Sequence, residues 1–233
     1  MLETLEARLA EARAGRLGHA ELLQVLCEDE LARRDAAKVA RLIRSAHLPM
    51  GTTLESFDFS YNQKLPVAEI RDLARLGFLE AGEGLVLHGP VGVGKSHLAI
   101  ALGHLACRRG LEVSFVTCAH LLAHLAGGHV DRSYEKRLRD LGRLAMLIVD
   151  DFAMREFTVS QADDIYELLL EFLGRPGHSL VLTSNRSPSD WYPLFPNAVV
   201  GESILDRLIN SSHDVFLEGK SYRPTRRPGA KRS

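Results

Sequence analysis

Eight consecutive residues have the types and spacing needed to hold a chain of phosphates. They read Gly89-Pro90-Val91-Gly92-Val93-Gly94-Lys95-Ser96 and fit the pattern G-x-x-x-x-G-K-[ST]. The glycines let the backbone turn so that successive amides point into one concavity. Lys95 puts a positive charge on the β- and γ-phosphates, and the Ser96 hydroxyl is a ligand for Mg²⁺. This loop, with His97 directly after it, therefore predicts a nucleotide site.

The elements on either side of the loop must position it. Leu85–His88 is a short apolar run typical of a buried strand, and His97–Arg108 is an alanine-rich apolar helix pattern. Strand, glycine loop and helix is the order that a phosphate-binding loop requires. The positive end of the helix then faces the phosphates.

A second apolar strand ends in two carboxylates. The run Met146–Val149 leads directly into Asp150 and Asp151. In a parallel sheet ligands sit beyond the carboxyl ends of the strands, so both acids are expected to face the phosphates. We predict that Asp150 holds the metal, directly or through water, and that Asp151 orients or activates the attacking water.

Two polar residues further along the chain complete the predicted catalytic set. Asn185 ends the run Leu180–Asn185, a buried strand that finishes in small polar residues. It is expected to hydrogen-bond the γ-phosphate or the attacking water, with a helix cap as the alternative. Arg207 lies among apolar residues of a short predicted helix. A guanidinium can stabilise a transferring phosphoryl group, often across a subunit boundary. A salt bridge to Asp206 or Glu202 is the alternative.

Strands and helices alternate along most of the chain. The predicted strands are Leu85–His88, Val113–Thr117, Met146–Asp150, Ser179–Thr183 and Asp214–Leu217. This alternation predicts an α/β fold with a parallel five-stranded sheet and helices on both faces.

The composition of the flanking segments predicts four regions. These are a helical N-terminal domain at 1–50, a linker near the nucleotide at 51–62, the ATPase domain at 63–219 and a basic, disordered tail at 220–233. The N-terminal domain is too small for a large core of its own and is expected to pack on a partner or a neighbouring copy. The sequence continues only briefly after the last predicted strand, so we expect no C-terminal helical lid.

The charge balance limits how the chain can contact nucleic acid. The 233 residues carry a formal net charge of -1, so DNA binding would need local basic patches. One candidate patch contains Arg132, Lys136, Arg137, Arg139 and Arg143, although interleaved acids also suit a solvated helix with i, i+4 pairs. No apolar run approaches the length of a membrane span, and three unpaired cysteines fit reduced thiols, so we expect a cytoplasmic protein.

Five motifs in chain order give the sequence a family resemblance. They are Gly-Pro-Val-Gly-Val-Gly-Lys-Ser-His at 89–97, Leu-Ile-Val-Asp-Asp-Phe at 147–152, Thr-Ser-Asn at 183–185, Ile-Leu-Asp-Arg-Leu at 204–208 and Gly-Lys-Ser-Tyr-Arg at 219–223. The chain resembles the IstB family of insertion-sequence transposition helpers, relatives of the DnaC-type helicase loaders. The resemblance implies an AAA+ ATPase with ATP and Mg²⁺ as cofactors. It also implies an ATP-promoted homo-oligomer, a ring or spiral on duplex DNA, that delivers a target site to a partner transposase.

The resemblance also implies roles for individual residues. It makes Lys95 and Ser96 nucleotide ligands, and it places Tyr61, with the rest of 57–61, near the adenine. Asp150 becomes the metal acid, Asn185 the sensor and Arg207 the arginine finger. Asp151 departs from the AAA+ pattern, which has Glu at this position, so water activation is expected to be slower or differently arranged.

Other functions remain open at this level. A helicase loader differs from the leading hypothesis mainly in its partner. A small-molecule kinase would need an arginine-rich lid, and 152–160 offers only Arg155. A nucleotide-gated scaffold without hydrolysis is compatible with Asp151. His120 and His124 have i, i+4 spacing, but no Glu follows His120 as in a zinc protease.

Overall fold

Five parallel strands form the centre of the computed structural model, which describes residues 2–15 and 18–222. The strands are β1 Gly84–His88, β2 Val113–Thr117, β3 Met146–Asp150, β4 Ser179–Ser184 and β5 Ser212–Phe216. Their order in the sheet is β2-β3-β4-β1-β5, and every neighbouring pair is parallel. The predicted sheet is confirmed, with strand bounds that differ from the sequence-based ones by at most two residues.

Nine α-helices surround the sheet within the described ranges. They are α1 Leu2–Arg13, α2 His19–Ser45, α3 Val67–Leu73, α4 Gly77–Ala81, α5 Lys95–Arg108, α6 Cys118–Asp131, α7 Tyr134–Leu141, α8 Val159–Phe172 and α9 Ala198–Asn210. Two short 3-10 helices, Pro188–Asp190 and Tyr192–Leu194, precede α9. None of the helices in the described ranges combines the length and apolar character needed to cross a bilayer.

The sheet is buried on both faces, as the continuous apolar runs of its central strands predict. Leu85 and Leu87 of β1 pack into one hydrophobic cluster, together with Leu98 and Leu102 of α5. Val86, between them, faces the opposite cluster, to which α6, α8 and α9 also contribute. Alternate residues of one strand thus feed two cores, which fixes β1 in the middle of the molecule.

Helices α1 and α2 form an N-terminal hairpin, and the end of α2 packs on the α/β core. In the N-terminal half of α2, Asp29 accepts hydrogen bonds from the guanidinium of Arg8 on α1 at both carboxylate oxygens, at 3.0 and 3.2 Å. Near its other end, Leu42 and the following Ala46 are buried in the core shared with α5. The Ala46 carbonyl also accepts a hydrogen bond from the amide of Phe115 on β2.

These contacts correct one expectation about the N-terminal segment. Its C-terminal part packs on the core of its own chain, because Leu42 and Ala46 complete the cluster beneath α5. The division at residue 50 remains a prediction, as do the other region boundaries. The predicted tail at 220–233 falls largely on 223–233, which lie outside the described residues.

The three cysteines are expected to differ strongly in reactivity. Cys107 and Cys118 are buried, and this burial raises the pKa of each thiol to about 11, whereas Cys27 is exposed. Because the thiolate is the reactive form, iodoacetamide at pH 8 should label the folded protein at Cys27 alone. Peptide mass spectrometry measures this. Unfolded protein should react at all three positions, and equal rates at Cys27 and Cys118 in the folded protein would contradict the described packing.

Candidate nucleotide-binding site

A cleft opens at the edge of the sheet where β1, β3 and β4 end. Its lining comes from the linker, the phosphate loop with the start of α5, the ends of β3 and β4, and the last described residue. These residues are Ser56, Phe57, Asp58, Tyr61, Asn62, Leu65, Gly92, Val93, Gly94, Lys95, Ser96, His97, Asp151, Asn185 and Tyr222. Most of the residues predicted to bind nucleotide or to act in catalysis therefore meet in one place.

The loop glycines are required by both conformation and space. Gly92 has φ +85°, and Gly94, which precedes α5, has φ +110°. A Cβ on Gly92 would lie 2.1 Å from Ser221 Oγ, and one on Gly94 would lie 2.9 Å from the Phe57 ring. Side-chain-bearing residues rarely adopt such φ values, and neither position has room for one. The loop is thus packed between the linker and the C-terminal segment.

Lys95 is buried within the loop that it is predicted to serve. Only 6% of the residue is exposed, and its Nζ donates to the carbonyls of Gly89 and Pro90, both at 2.8 Å. A buried ammonium needs hydrogen-bond partners, which these carbonyls provide. Pro90 and Val91 are exposed and do not line the cleft. The described contact of Pro90 with the loop lysine is made by its backbone carbonyl.

The two acids at the end of β3 are connected by one hydroxyl. The Thr183 hydroxyl on β4 donates to Asp150 Oδ1, and its oxygen accepts the Asp151 amide at 3.2 Å. Asp151 has φ +56°, a left-handed conformation that is uncommon for residues other than glycine. This turn brings Asp151 to the cleft, while Asp150 remains at the strand end. Sequence reasoning missed Thr183, although it lies in the Thr-Ser-Asn motif at 183–185.

Asn185 lies at the cleft and does not cap a helix. Its amide nitrogen contacts Met154 Sδ at 3.3 Å, and the 3-10 helix that follows begins after Ser187. The helix-cap alternative is therefore wrong.

Arg207 lies apart from the cleft, on an exposed part of α9. Its guanidinium carbon is 5.5 Å from the centre of the Tyr166 ring, a cation–π distance. Within the described part of the chain it forms no ion pair with Glu202 or Asp206, and Asp206 instead accepts a hydrogen bond from Asn210. The salt-bridge alternative is therefore not what the structure contains. Arg207 is predicted to act on nucleotide, but the cleft of its own chain does not include it.

The C-terminal segment closes one side of the cleft. The Tyr222 amide donates to the Gly92 carbonyl at 2.8 Å, and the Tyr61 hydroxyl donates to the Ser221 carbonyl at 3.0 Å. The rings of Tyr61 and Tyr222 meet edge to face at 4.7 Å. The composition predicts a disordered tail that includes Ser221 and Tyr222, and the structure instead places them against the phosphate loop. Their only signal in the sequence is the motif at 219–223.

The linker contacts the start of α5 through His97. The imidazole Nε2 lies 3.1 Å from the Thr53 carbonyl and 3.3 Å from Ser56 Oγ, so His97 joins the two elements. On the same side of the cleft, the hydroxyl and amide of Ser60 bond to Asp58 and hold the pKa of that carboxyl below its usual value. Asp58 therefore contributes a negative charge to the linker side of the cleft.

Removing the Lys95 ammonium is expected to abolish tight nucleotide binding. Lys95→Ala should weaken ATP binding by about 100-fold or more. The ammonium would donate two charge-assisted hydrogen bonds to phosphate oxygens, and each contributes about 1.5 kcal/mol or more. Calorimetric titration with ATP measures this. Lys38→Ala, which removes an exposed ammonium from α2, is the matched control and should bind as the wild type does. Unchanged affinity in Lys95→Ala would contradict the assignment.

Known proteins with similar sequences match this chain over nearly its whole length. An insertion-sequence ATP-binding protein of Mycobacterium tuberculosis is 55% identical over 231 residues, which cover 98% of this chain and 91% of the relative. The ATP-binding protein of insertion sequence IS21 from Pseudomonas aeruginosa is 33% identical over 219 residues, which cover 94% of this chain and 82% of the relative.

Solved structures share the fold at low identity. The DnaC helicase loader aligns with a TM-score of 0.57 and 20% identity over 65% of this chain and 88% of its own. The replication initiator DnaA, bound to AMPPCP and single-stranded DNA, aligns with a TM-score of 0.62 and 18% identity over 74% of this chain and 51% of its own. The fold is thus the AAA+ type of α/β P-loop fold. The profile of the IstB-like ATP-binding proteins matches residues 1–230, and the chain belongs to that family.

Proposed function

We propose that this protein is an Mg²⁺-dependent ATPase that assembles on duplex DNA and assists transposition by presenting target DNA to a partner transposase and stimulating it. The observation that carries the proposal is the cleft that joins Lys95, Asp151 and Asn185, in a chain whose relatives belong to insertion sequences. Each part of the proposal rests on particular residues.

The oxygen ligands near the loop fit Mg²⁺ bound together with ATP. Ser96 lines the cleft, Asp150 is the last residue of β3, and Asp151 follows it into the cleft. Among residues 2–15 and 18–222, no group of three or more His, Cys, Asp or Glu side chains could hold a metal alone. Mg²⁺ does not need such a group, because it keeps several waters and shares phosphate oxygens with the nucleotide. Ser96 and Asp150 are therefore the protein groups assigned to it.

Lys95, Asp151 and Asn185 have distinct roles in the proposed hydrolysis. Lys95 would exchange its carbonyl partners for β- and γ-phosphate oxygens and neutralise their charge. The carboxylate of Asp151, which reaches the cleft, would orient the attacking water and accept its proton. Asn185 would donate from its amide to the γ-phosphate or to that water. Ser96 and Asp150 would hold Mg²⁺, which would supply positive charge to stabilise the leaving group.

The position of Arg207 supports the proposed assembly. The side chain is exposed on α9 and does not line the cleft of its own chain, so its proposed target is the nucleotide of a neighbouring copy. A guanidinium that arrives in trans couples hydrolysis to contact between subunits. The guanidinium lies over the face of the Tyr166 ring, which attracts the positive charge without neutralising it.

The basic stretch around α7 is the proposed DNA surface. Arg132 and Lys136 are exposed and make no ion pair with other residues that the structure describes. Arg139 and Arg143 pair only with exposed acids on the same segment, at 3.9 and 3.2 Å. Arg137 differs, because it bonds to Asp131, Ser133 and the His124 carbonyl and so joins α7 to α6. Four of the five predicted residues are thus available to phosphates.

The transposase is favoured over a replicative helicase as partner. The insertion-sequence relatives match 98% and 94% of this chain, and the family profile matches residues 1–230, which include the α1–α2 hairpin. The DnaC structure matches 65% at 20% identity, a likeness that speaks for the fold alone. The helicase-loader function remains the second candidate. Pull-down of purified transposase and of replicative helicase with the ATP-bound protein distinguishes the two.

Arg207 is expected to act in trans. Arg207→Ala should bind ATP normally and hydrolyse it about 10³-fold more slowly, as removal of an arginine finger does elsewhere. Mixing it with Lys95→Ala should restore activity at mixed interfaces, and steady-state phosphate release measures this. Asn210→Ala on the same helix serves as the control. A mixture no more active than the sum of its parts would rule out action in trans.

DNA binding is expected to depend on nucleotide and on salt. Filter binding should give tighter binding with ATP than with ADP, and log K should fall linearly with log salt. Lys136→Ala should lower the slope by about 0.9, the value that one neutralised phosphate contributes. Arg71→Ala, on the exposed side of α3, should not change it. If Lys136→Ala leaves the slope unaltered, Lys136 does not contact phosphate and the proposed DNA surface at α7 is wrong.

A further inference from the structure

The hydroxyl of Thr183 contacts both acids of the proposed ATPase site. Thr183 is on β4, one step beyond the paired residues Val149 and Leu182 of the β3–β4 ladder, and only 1% of it is exposed. Its hydroxyl donates to Asp150 Oδ1 and accepts the Asp151 amide at 3.2 Å. Its carbonyl accepts the amide of Phe152 at 2.8 Å. One residue thus holds three consecutive positions of the turn that follows β3.

The direction of these hydrogen bonds leaves one arrangement. A hydroxyl has one proton to donate, and a backbone N–H can only donate. Because the Asp151 amide donates to Thr183 Oγ1, the hydroxyl proton must point at the Asp150 carboxylate. A β-branched side chain has few χ1 rotamers in a packed strand, so this orientation is fixed by the backbone of β4.

We propose that Thr183 is a positioning residue of the nucleotide site, which fixes the Asp150 carboxylate for Mg²⁺ and holds the left-handed turn that brings Asp151 to the cleft. This inference rests on the proposed function. With Oδ1 of Asp150 bonded to Thr183, the second carboxylate oxygen is the one left for the metal or its water. The φ of +56° at Asp151 is held from both sides, by its own amide and by that of Phe152.

The neighbouring residue on β4 provides a matched control. Ser184 is equally buried, and its hydroxyl donates to the Phe152 carbonyl at 2.9 Å. It accepts from the indole of Trp191 and from the Arg186 amide, both at 3.2 Å. None of these contacts involves Asp150 or the Asp151 amide. Ser184→Ala therefore removes a buried hydroxyl of the same strand without disturbing the acids, and is expected to change stability alone.

The test separates metal binding from nucleotide binding. Binding of a fluorescent ATP analogue is titrated with Mg²⁺ and, separately, measured in EDTA. Thr183→Val, which keeps the shape and removes the hydroxyl, should raise the half-saturating Mg²⁺ concentration about 10- to 100-fold, the usual effect of losing a group that orients a metal ligand. Affinity in EDTA should stay within about twofold of the wild type, since Thr183 is outside the lining of the cleft.

Three further variants decide how the result is read. Thr183→Ser restores the hydroxyl and should need nearly the wild-type Mg²⁺ concentration. Ser184→Ala should lower the Tm with no change in Mg²⁺ requirement. In an Asp150→Ala background, Thr183→Val should not raise the half-saturating Mg²⁺ concentration further, because the carboxylate that it orients is gone. If Thr183→Val does not fold, Thr183→Ala takes its place and should raise the half-saturating Mg²⁺ concentration in the same way.

The outcomes distinguish this inference from the proposed function. Wild-type Mg²⁺ dependence in Thr183→Val, or the same defect in Thr183→Ser as in Thr183→Val, overturns the role of Thr183 and leaves the ATPase proposal standing. A wild-type protein that binds nucleotide equally well with and without Mg²⁺ overturns both.

Discussion

The parallel arrangement of the sheet around β1 is the constraint on which the site depends. All five strands end at the same edge, and β1 has β4 on one side and β5 on the other. A loop that leaves β1 therefore meets whatever follows β4 and β3, and the chain leaving β5 passes beside it. Asp151, Asn185 and Tyr222 reach the loop for this reason, although they are far from it in sequence. The burial of β1 on both faces keeps this edge in place.

The sheet and the centre of the site could be predicted because their signals are local. Each central strand is a continuous apolar run that ends in glycine or polar residues. Such a run is typical of a strand that is buried on both faces of a parallel sheet. The phosphate loop carries its conformation in its glycines, as the positive φ values of Gly92 and Gly94 confirm. Asp150, Asp151 and Asn185 are predictable from their positions at strand ends, because the carboxyl ends of parallel strands lie together at one edge of the sheet.

Contacts that depend on the register of distant segments could not be predicted. The Tyr61 hydroxyl reaches Ser221, 160 residues away, and no periodicity connects the two. Nothing in the local sequence distinguishes the Thr183 hydroxyl from other polar side chains. Only the β3–β4 register shows that it lies beside Asp150. Counting charges likewise could not separate Arg137, which joins two helices, from the exposed basic residues around it.

Helix α2 gives the N-terminal hairpin the mechanics of a lever. The helix has 27 residues and is therefore about 40 Å long at 1.5 Å per residue. Its base is fixed in the core at Leu42, its far half carries α1, and every residue from Leu31 to Lys38 between them is exposed. A rotation of about 10° at the base therefore moves the far end by about 7 Å on that length. A sub-ångström shift of α5, which begins at Lys95 and shares this core, would therefore be magnified several-fold at the hairpin.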